Sequence, residues 1–344
     1  MNQPMMQSAV YYVLGTTVQF SLRATSETAA TAAIAEAVAR LYEIDDKMSY
    51  FKEDSEVAQI NRAAGAVAGA AAATSATAAV AVSADTYKVI QTARHYSHLS
   101  HGALDPTIRP VVNEWGIFST DAQVPSATRL NKALALVNYQ YIQLQGASIG
   151  LARANQELDL GSIAKGFAAD EVRDIFLKHH ITSALLDLGG NISVIGNAPD
   201  GAAWKIGIRD PFGGSLEAFG GSLDDFTFGY VEVSDMSIVT SGGYEKQSTI
   251  GGVSYHHILD PRTGYPTDNE LASVTMISQD AMDGDALATA AMVLGLEDGM
   301  NLINILEGME AVFVTKDRKI YLTAGIVDHF RVTGADFTVR KESL

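Results

Sequence analysis

Leu158-Asp159-Leu160-Gly161-Ser162-Ile163-Ala164-Lys165-Gly166-Phe167 reads as an apolar strand end that passes through two glycines, a serine and a lysine into a helix. Ile163, Phe167, Val172, Ile175 and Phe176 then fall near one face at helical spacing. Asp170, Glu171, Arg173, Asp174 and Lys178 are left to face water. Glycine at such a turn lets backbone approach a ligand closely. The helix N-terminus offers free N–H groups and the positive dipole end to an anion. The stretch therefore reads either as a phosphate site or as an ordinary strand-to-helix connection.

Outward from it, the chain alternates strand and helix unevenly. Downstream, Ala184-Leu185-Leu186-Asp187-Leu188 has the character of a buried strand, broken by Gly189-Gly190-Asn191 and resumed over 192–195. Strands follow over 204–208 and 226–233, then Ile238-Val239 leads into Thr240-Ser241-Gly242. A strand over 271–278 feeds a helix from about Asp283 to Leu294, a shorter helix near 297–306, and a hairpin around Lys316-Asp317-Arg318. Upstream, residues 9–22 read as a strand pair around Gly15. Ser26 is an N-cap for a helix carrying Ile34, Val38, Leu41, Ile44 and Met48. Further helices are expected over 84–99 and 127–136, and short strands over 138–159. Residues 63–82 are almost all Ala, Gly, Val, Thr and Ser without a period or bulky anchor, and are expected to form a loop or loose hairpin. This mixture of hairpins and helices predicts an α+β fold, mostly antiparallel, rather than a doubly wound sheet. No linker or internal repeat divides the chain, which predicts a single domain over 1–344.

The 344 residues are 47% hydrophobic and 19% charged, enough to bury a sizeable core. No run approaches the roughly 18 apolar residues of a membrane span. A net charge of −16 argues against nucleic acid as partner, because a phosphate backbone requires a basic face. An anionic substrate would have to be held by local devices: helix ends, a few lysines, a metal ion. The absence of cysteine removes disulfides, thiolate metal sites and cysteine nucleophiles. The N-terminus shows no signal peptide and no lipid-acceptor cysteine, so the chain as written is expected in the cytoplasm, or exported with its export segment absent from this sequence.

Asp285 and Thr289 are four residues apart on a helix and share a face. A carboxylate with a hydroxyl oxygen suits a hard cation such as Mg²⁺; the alternative is a helix-end carboxylate beside a packed threonine. Ser162-Ile163-Ala164-Lys165 matches S-x-x-K, and Ser234-Asp235-Met236 sits where S-D-N would follow, but Met replaces Asn and no K-T-G occurs. Neighbouring His256 and His257 point to opposite faces of a strand, so at most one serves a given pocket, as general base or as a structural residue. Neither G-x-G-x-x-G nor G-x-x-x-x-G-K-[ST] is present, which leaves Rossmann and P-loop readings unsupported.

Taken in order, seven stretches resemble the ApbE family, the FAD:protein FMN transferases. They are Met48-Ser49-Tyr50 with Asp54-Ser55-Glu56, Gly102-Ala103-Leu104-Asp105-Pro106-Thr107, Asp159 through Gly166, Asp187-Leu188-Gly189-Gly190-Asn191, Thr240-Ser241-Gly242, His257 through Gly264, and Gly284-Asp285-Ala286-Leu287-Ala288-Thr289. The resemblance implies an ApbE-like α+β fold with one flavin-binding body. It also implies Mg²⁺-dependent cleavage of FAD, with FMN passed as a phosphoester to a Thr or Ser hydroxyl of an acceptor flavoprotein and AMP released. By motif, Met48, Ala103, Leu104, Asp105, Asp159, Lys165 and Leu259 would contact FAD. The Ser162 carbonyl, Asp285 and Thr289 would hold the metal, and His257 would act as base on the acceptor hydroxyl. Where some members of the family carry a second Asp, this chain has Ala288, which leaves the metal dependent on Asp285, the backbone carbonyl and phosphate oxygens. The acceptor implied is a redox-complex subunit or a fumarate-reductase-type protein. Competing expectations are FAD hydrolysis to FMN and AMP, FAD binding without catalysis, and, more remotely, an S-x-x-K acyl-transfer enzyme.

Overall fold

In the computed structural model the described residues are 5–66, 78–117, 119, 121–213 and 226–340. Met5–Val13 (β1) and Thr16–Ala24 (β2) form the opening hairpin, followed by Glu27–Met48 (α1), Glu56–Ala66 (α2) and Val80–Ala81 (β3). Next come Ala84–Leu99 (α3), Arg109–Trp115 (α4), Ala127–Leu134 (α5), Ile142–Gln145 (β4) and Ser148–Leu151 (β5). The quoted stretch leads into Ala164–Lys178 (α6), then Ala184–Leu188 (β6), Asn191–Ile195 (β7), Trp204–Arg209 (β8), Thr227–Val233 (β9) and Ser237–Gly242 (β10). Gln247–Ile250 (β11), Val253–His256 (β12), Leu271–Ser278 (β13), Ala281–Leu294 (α7) and Leu296–Asn304 (α8) follow. Glu310–Thr315 (β14), Lys319–Leu322 (β15), Phe330–Val332 (β16) and Thr338–Val339 (β17) complete the chain.

These elements form two compact units: residues 1–41, 165–244 and 269–344 in the first, and 42–164 and 245–268 in the second. The first unit is built on a nine-stranded sheet in the order β1-β2-β6-β7-β10-β13-β14-β15-β17, antiparallel except where β15 meets β17. Strand alternation sends Val194, Ile238, Ile277, Val312 and Val314 to one face, where they pack with Ile206, Phe228, Val231 and Phe330 of a β16-β9-β8 sheet. The opposite face is covered by helices. Phe176 of α6 meets Phe20 edge-on at 5.4 Å, and α7 packs on β10 and β13 and reaches β7. The β6–β7 hairpin turns through Gly189 and Gly190, whose φ values of +64° and +90° suit a two-residue turn of the I′ kind. That accounts for the paired glycines of Asp187-Leu188-Gly189-Gly190-Asn191.

In the second unit, Ser55 caps α2 through Ala58 N–H, and the Glu56 carboxylate takes both N–H and O–H of Ser83, the cap of α3. The Asp54-Ser55-Glu56 stretch thus serves the scaffold. Trp115, fully buried, donates to the Gly264 carbonyl within a cluster containing Val111, Leu130 and Leu259.

Several features differ from expectation. Residues 63–66 continue α2, in keeping with the helix propensity of alanine, and Val80 and Ala81 pair with β5; 67–77 lie outside the described residues. Helix α7 begins at Ala281, two residues early. Asp170, expected to face water, is buried at 8% exposure. The last two differences have one cause: Asp170 of α6 accepts the N–H groups of Ala281 and Met282, at 2.8 and 2.9 Å. It supplies the cap that Asp280 does not.

Candidate functional site

Within the first unit the N-terminal ends of α6 and α7 are tied together in both directions. Gly166 N–H, in the first turn of α6 where no helix carbonyl is available, donates to Asp285 Oδ2 at 3.0 Å. Asp170 returns the contact to the first turn of α7. The two backbones approach so closely that a Cβ on Gly166 would lie 2.3 Å from the Ala281 carbonyl oxygen. Asp285 is 3% exposed, and Lys165 Nζ sits 3.2 and 3.4 Å from its two oxygens. One turn on, Thr289 Oγ1 lies 3.4 Å from the Asp285 carbonyl oxygen and 3.3 Å from Ser241 Oγ of β10. The structure thus keeps Asp285 and Thr289 one turn apart on α7, as their spacing predicted, and adds Lys165 of α6 and Ser241 from the Thr240-Ser241-Gly242 stretch. Lys165 holds Asp285 and carries its charge toward that carboxylate.

Within the second unit, Asp105 is buried and its carboxylate is taken up by its own turn and by the backbone at Tyr139. Oδ1 accepts Thr107 N–H and O–H at 2.8 and 2.6 Å, and Oδ2 accepts Tyr139 N–H at 2.8 Å. Burial pushes its pKa up, opposed by the Thr107 and Tyr139 bonds. Asp159 N–H donates to the Pro106 carbonyl at 2.8 Å, which fastens the mid-chain stretch to this turn. Asn61 of α2 pins Leu158 through both its N–H and its carbonyl. Asp159 is likewise buried, with its pKa raised by desolvation and drawn back by Gly161 N–H, Arg109 and Lys246. The Arg109 guanidinium, 3.6 Å from Asp159, lies over the Tyr50 ring at 3.6 Å from the centroid. Arg109 thereby joins the segment after Met48 to Asp159. Nothing in the spacing marked it, because its role depends on a ring 59 residues earlier.

Met48, Ala103, Leu104 and Leu259 are all buried, so the last three offer a ligand chiefly backbone. His257 N–H donates to the Lys246 carbonyl at 3.1 Å, and its Nδ1 lies 3.3 Å from the same oxygen. His256 is engaged by the Thr267 carbonyl at 2.9 Å. Of the two histidines, His257 is the one held by the Lys246 carbonyl. Ser162 lies in the turn directly before α6.

The sequence profile of the ApbE family matches residues 14–313. The chain belongs to the ApbE family. Among curated proteins it is 35% identical over 326 residues to the FAD:protein FMN transferase of Treponema pallidum, covering 90% of this chain and 84% of that one. It is 37% identical over 282 residues to one from Klebsiella pneumoniae, covering 81% of each. Among solved structures, the flavin transferase ApbE of Vibrio cholerae superposes with a TM-score of 0.79 at 28% identity, covering 95% of this chain and 99% of that one. The ApbE protein of Thermotoga maritima gives 0.80 at 28% identity, covering 93% and 98%. The α+β, mostly antiparallel architecture expected from the sequence is the architecture of this family.

Among the described residues, no group of three or more Asp, Glu or His side chains forms a metal site. The first-unit cluster nonetheless has oxygen donors fit for a hard cation, one buried carboxylate and two hydroxyls, with the Lys165 ammonium compensating the carboxylate in the structure. A single carboxylate with neutral oxygens suits Mg²⁺, which keeps water or substrate phosphate oxygens as its other ligands.

Proposed function

We propose that this chain is an FAD:protein FMN transferase that cleaves FAD at its diphosphate and passes FMN to a hydroxyl of an acceptor protein. The P–O bond to the AMP half breaks, AMP leaves, and a phosphoester to a Thr or Ser side chain forms. The observation that carries this reading is the Asp285 carboxylate, buried between Lys165 Nζ and Gly166 N–H beside Thr289 and Ser241. It supplies oxygen ligands for a cation and places a lysine at a helix N-terminus, where diphosphate oxygens bind well. Phosphoryl transfer needs mainly positioning and charge neutralisation, and this cluster is equipped for both.

Asp285, Thr289 and the Ser162 carbonyl would hold Mg²⁺, which when bound neutralises the diphosphate and stabilises charge on departing AMP. Lys165 binds and orients diphosphate oxygens. Met48, the Ala103-Leu104-Asp105 turn, Asp159 and Leu259 bind the remainder of FAD, and His257 accepts the acceptor hydroxyl's proton. The acceptor is a flavoprotein of a redox complex or of the fumarate-reductase type.

Incubation with FAD, Mg²⁺ and a candidate acceptor, followed by a denaturing gel, tests this directly. Covalent flavin fluorescence on the acceptor with stoichiometric AMP is expected. Free FMN with an unlabelled acceptor would instead mark the chain as an FAD hydrolase, and FAD bound without AMP release would mark it as a binding protein.

A further inference from the structure

Asn191 is the first residue of β7 and is 1% exposed, yet neither Oδ1 nor Nδ2 of its carboxamide has a hydrogen-bond partner. Its neighbours across the sheet on the same face are Leu188 and Val239, both apolar and buried. A leucine or valine would satisfy that environment, so the amide is unexplained by packing.

The register shows what the amide is next to. Ser193, two residues on, meets Ser237 Oγ at 2.8 Å, which fixes Asn191, Ser193, Ser237, Val239 and Ser241 on one face. Helix α7 covers that face. A Cβ on Gly284 would lie 3.3 Å from Val239 Cγ2, and Thr289 meets Ser241. Asp285 follows Gly284 and points toward α6, to Gly166 and Lys165. Asn191 therefore lies level with Asp285, on the strand beside the one that α7 crosses.

We propose that Asn191 is a positioning residue for the divalent cation held at Asp285. A bare cation would satisfy only the amide oxygen and an anion only the amide N–H. A hydrated cation on Asp285 that carries a substrate phosphate oxygen satisfies both, its water donating to Oδ1 while the phosphate oxygen accepts from Nδ2. The unpaired amide is thus half of an arrangement that the cation completes. This inference rests on the metal reading of the same cluster given above.

The test is Mn²⁺ titration followed by EPR in the presence of FAD, with melting temperature in chelator measured in parallel. Asn191→Leu is expected to melt at or above the wild-type temperature in chelator, since an unpaired buried amide costs stability there, and to weaken Mn²⁺ binding by about tenfold or more. Wild-type Mn²⁺ affinity in Asn191→Leu, or a loss of melting temperature in chelator, overturns the proposal. If Asn191→Leu does not fold, Asn191→Ala decides: it removes both the acceptor and the donor, so weakened Mn²⁺ binding supports the role and wild-type affinity overturns it. Asp285→Asn in the same titration separates the two readings. If it also binds Mn²⁺ as wild type does, the cation reading falls together with Asn191. If it alone loses Mn²⁺, only the Asn191 proposal falls.

Discussion

Asp285 and Asp170 are both nearly buried carboxylates, and their surroundings give them different tasks. Asp285 has a mobile cation, Lys165, as its main compensation, so it can exchange that partner for another positive charge. Asp285→Asn keeps an acceptor for Gly166 N–H and removes the charge. It is expected to fold normally and to lower FMN release from FAD by about a hundredfold or more, the scale for losing a preorganised charge interaction in a transition state. Near-normal turnover in Mg²⁺ would remove Asp285 from its role. Asp170 is compensated by backbone N–H groups and by Arg173 at 3.3 Å, and burial still pushes its pKa from 3.8 to about 6. A folded value above the unfolded one means that its contribution to stability is complete below about pH 3.8. It is lost as pH rises through about 6, because the folded state holds the proton more tightly. A shift of this size corresponds to at most about 3 kcal/mol. Denaturation of wild type and Asp170→Asn across that window should show the variant lacking this part of the pH slope. Parallel curves would mean that Asp170 titrates alike in both states.

Helices α6 and α7 were each legible alone, and their mutual contact was not. The α6 pattern, Ile163 through Phe176, followed from period, and the α7 strip followed from an apolar run beginning after Asp283. Asp170 was misassigned to solvent because periodicity treats a charged side chain as outward-facing and cannot register a cap supplied to a helix 111 residues later. The same omission displaced the start of α7, whose first turn has no side-chain cap of its own. Arg109 and Ser241 escaped for a related reason: each gains its role from a partner distant in sequence. The candidate site was read from the order of seven short stretches, several of which encode turns and caps in the structure. Gly166 tests how tightly the two helices are coupled. In Gly166→Ala the new methyl meets the Ala281 carbonyl and the Met282 Cα at 2.3 and 2.6 Å, all backbone, so the helices must separate. A loss of about 1–3 kcal/mol is expected from the overpacking, together with weakened Mg²⁺ dependence as Asp285 leaves Gly166 N–H. Unchanged stability in urea would show that the helix ends have slack.

At the scale of the whole molecule, the net charge of −16 opposes an anionic dinucleotide until it reaches the local positive groups. The candidate residues and their neighbours offer Lys165, Arg109 and Lys246 as cations, and each of these already interacts with a carboxylate. The long-range field is therefore repulsive to FAD, while attraction is confined to short range. Salt screens the first far more than the second, since the Debye length falls from about 30 Å at 0.01 M to about 8 Å at 0.15 M. With Mg²⁺ held constant and saturating, the association rate of FAD followed by flavin fluorescence in stopped flow should rise a few-fold over that range of ionic strength. The dissociation rate should change less, because it reports contacts made inside the site. A steep fall in association rate with salt would mean that a positive field around the site outweighs the acidic surface, and that FAD is steered in rather than admitted against repulsion.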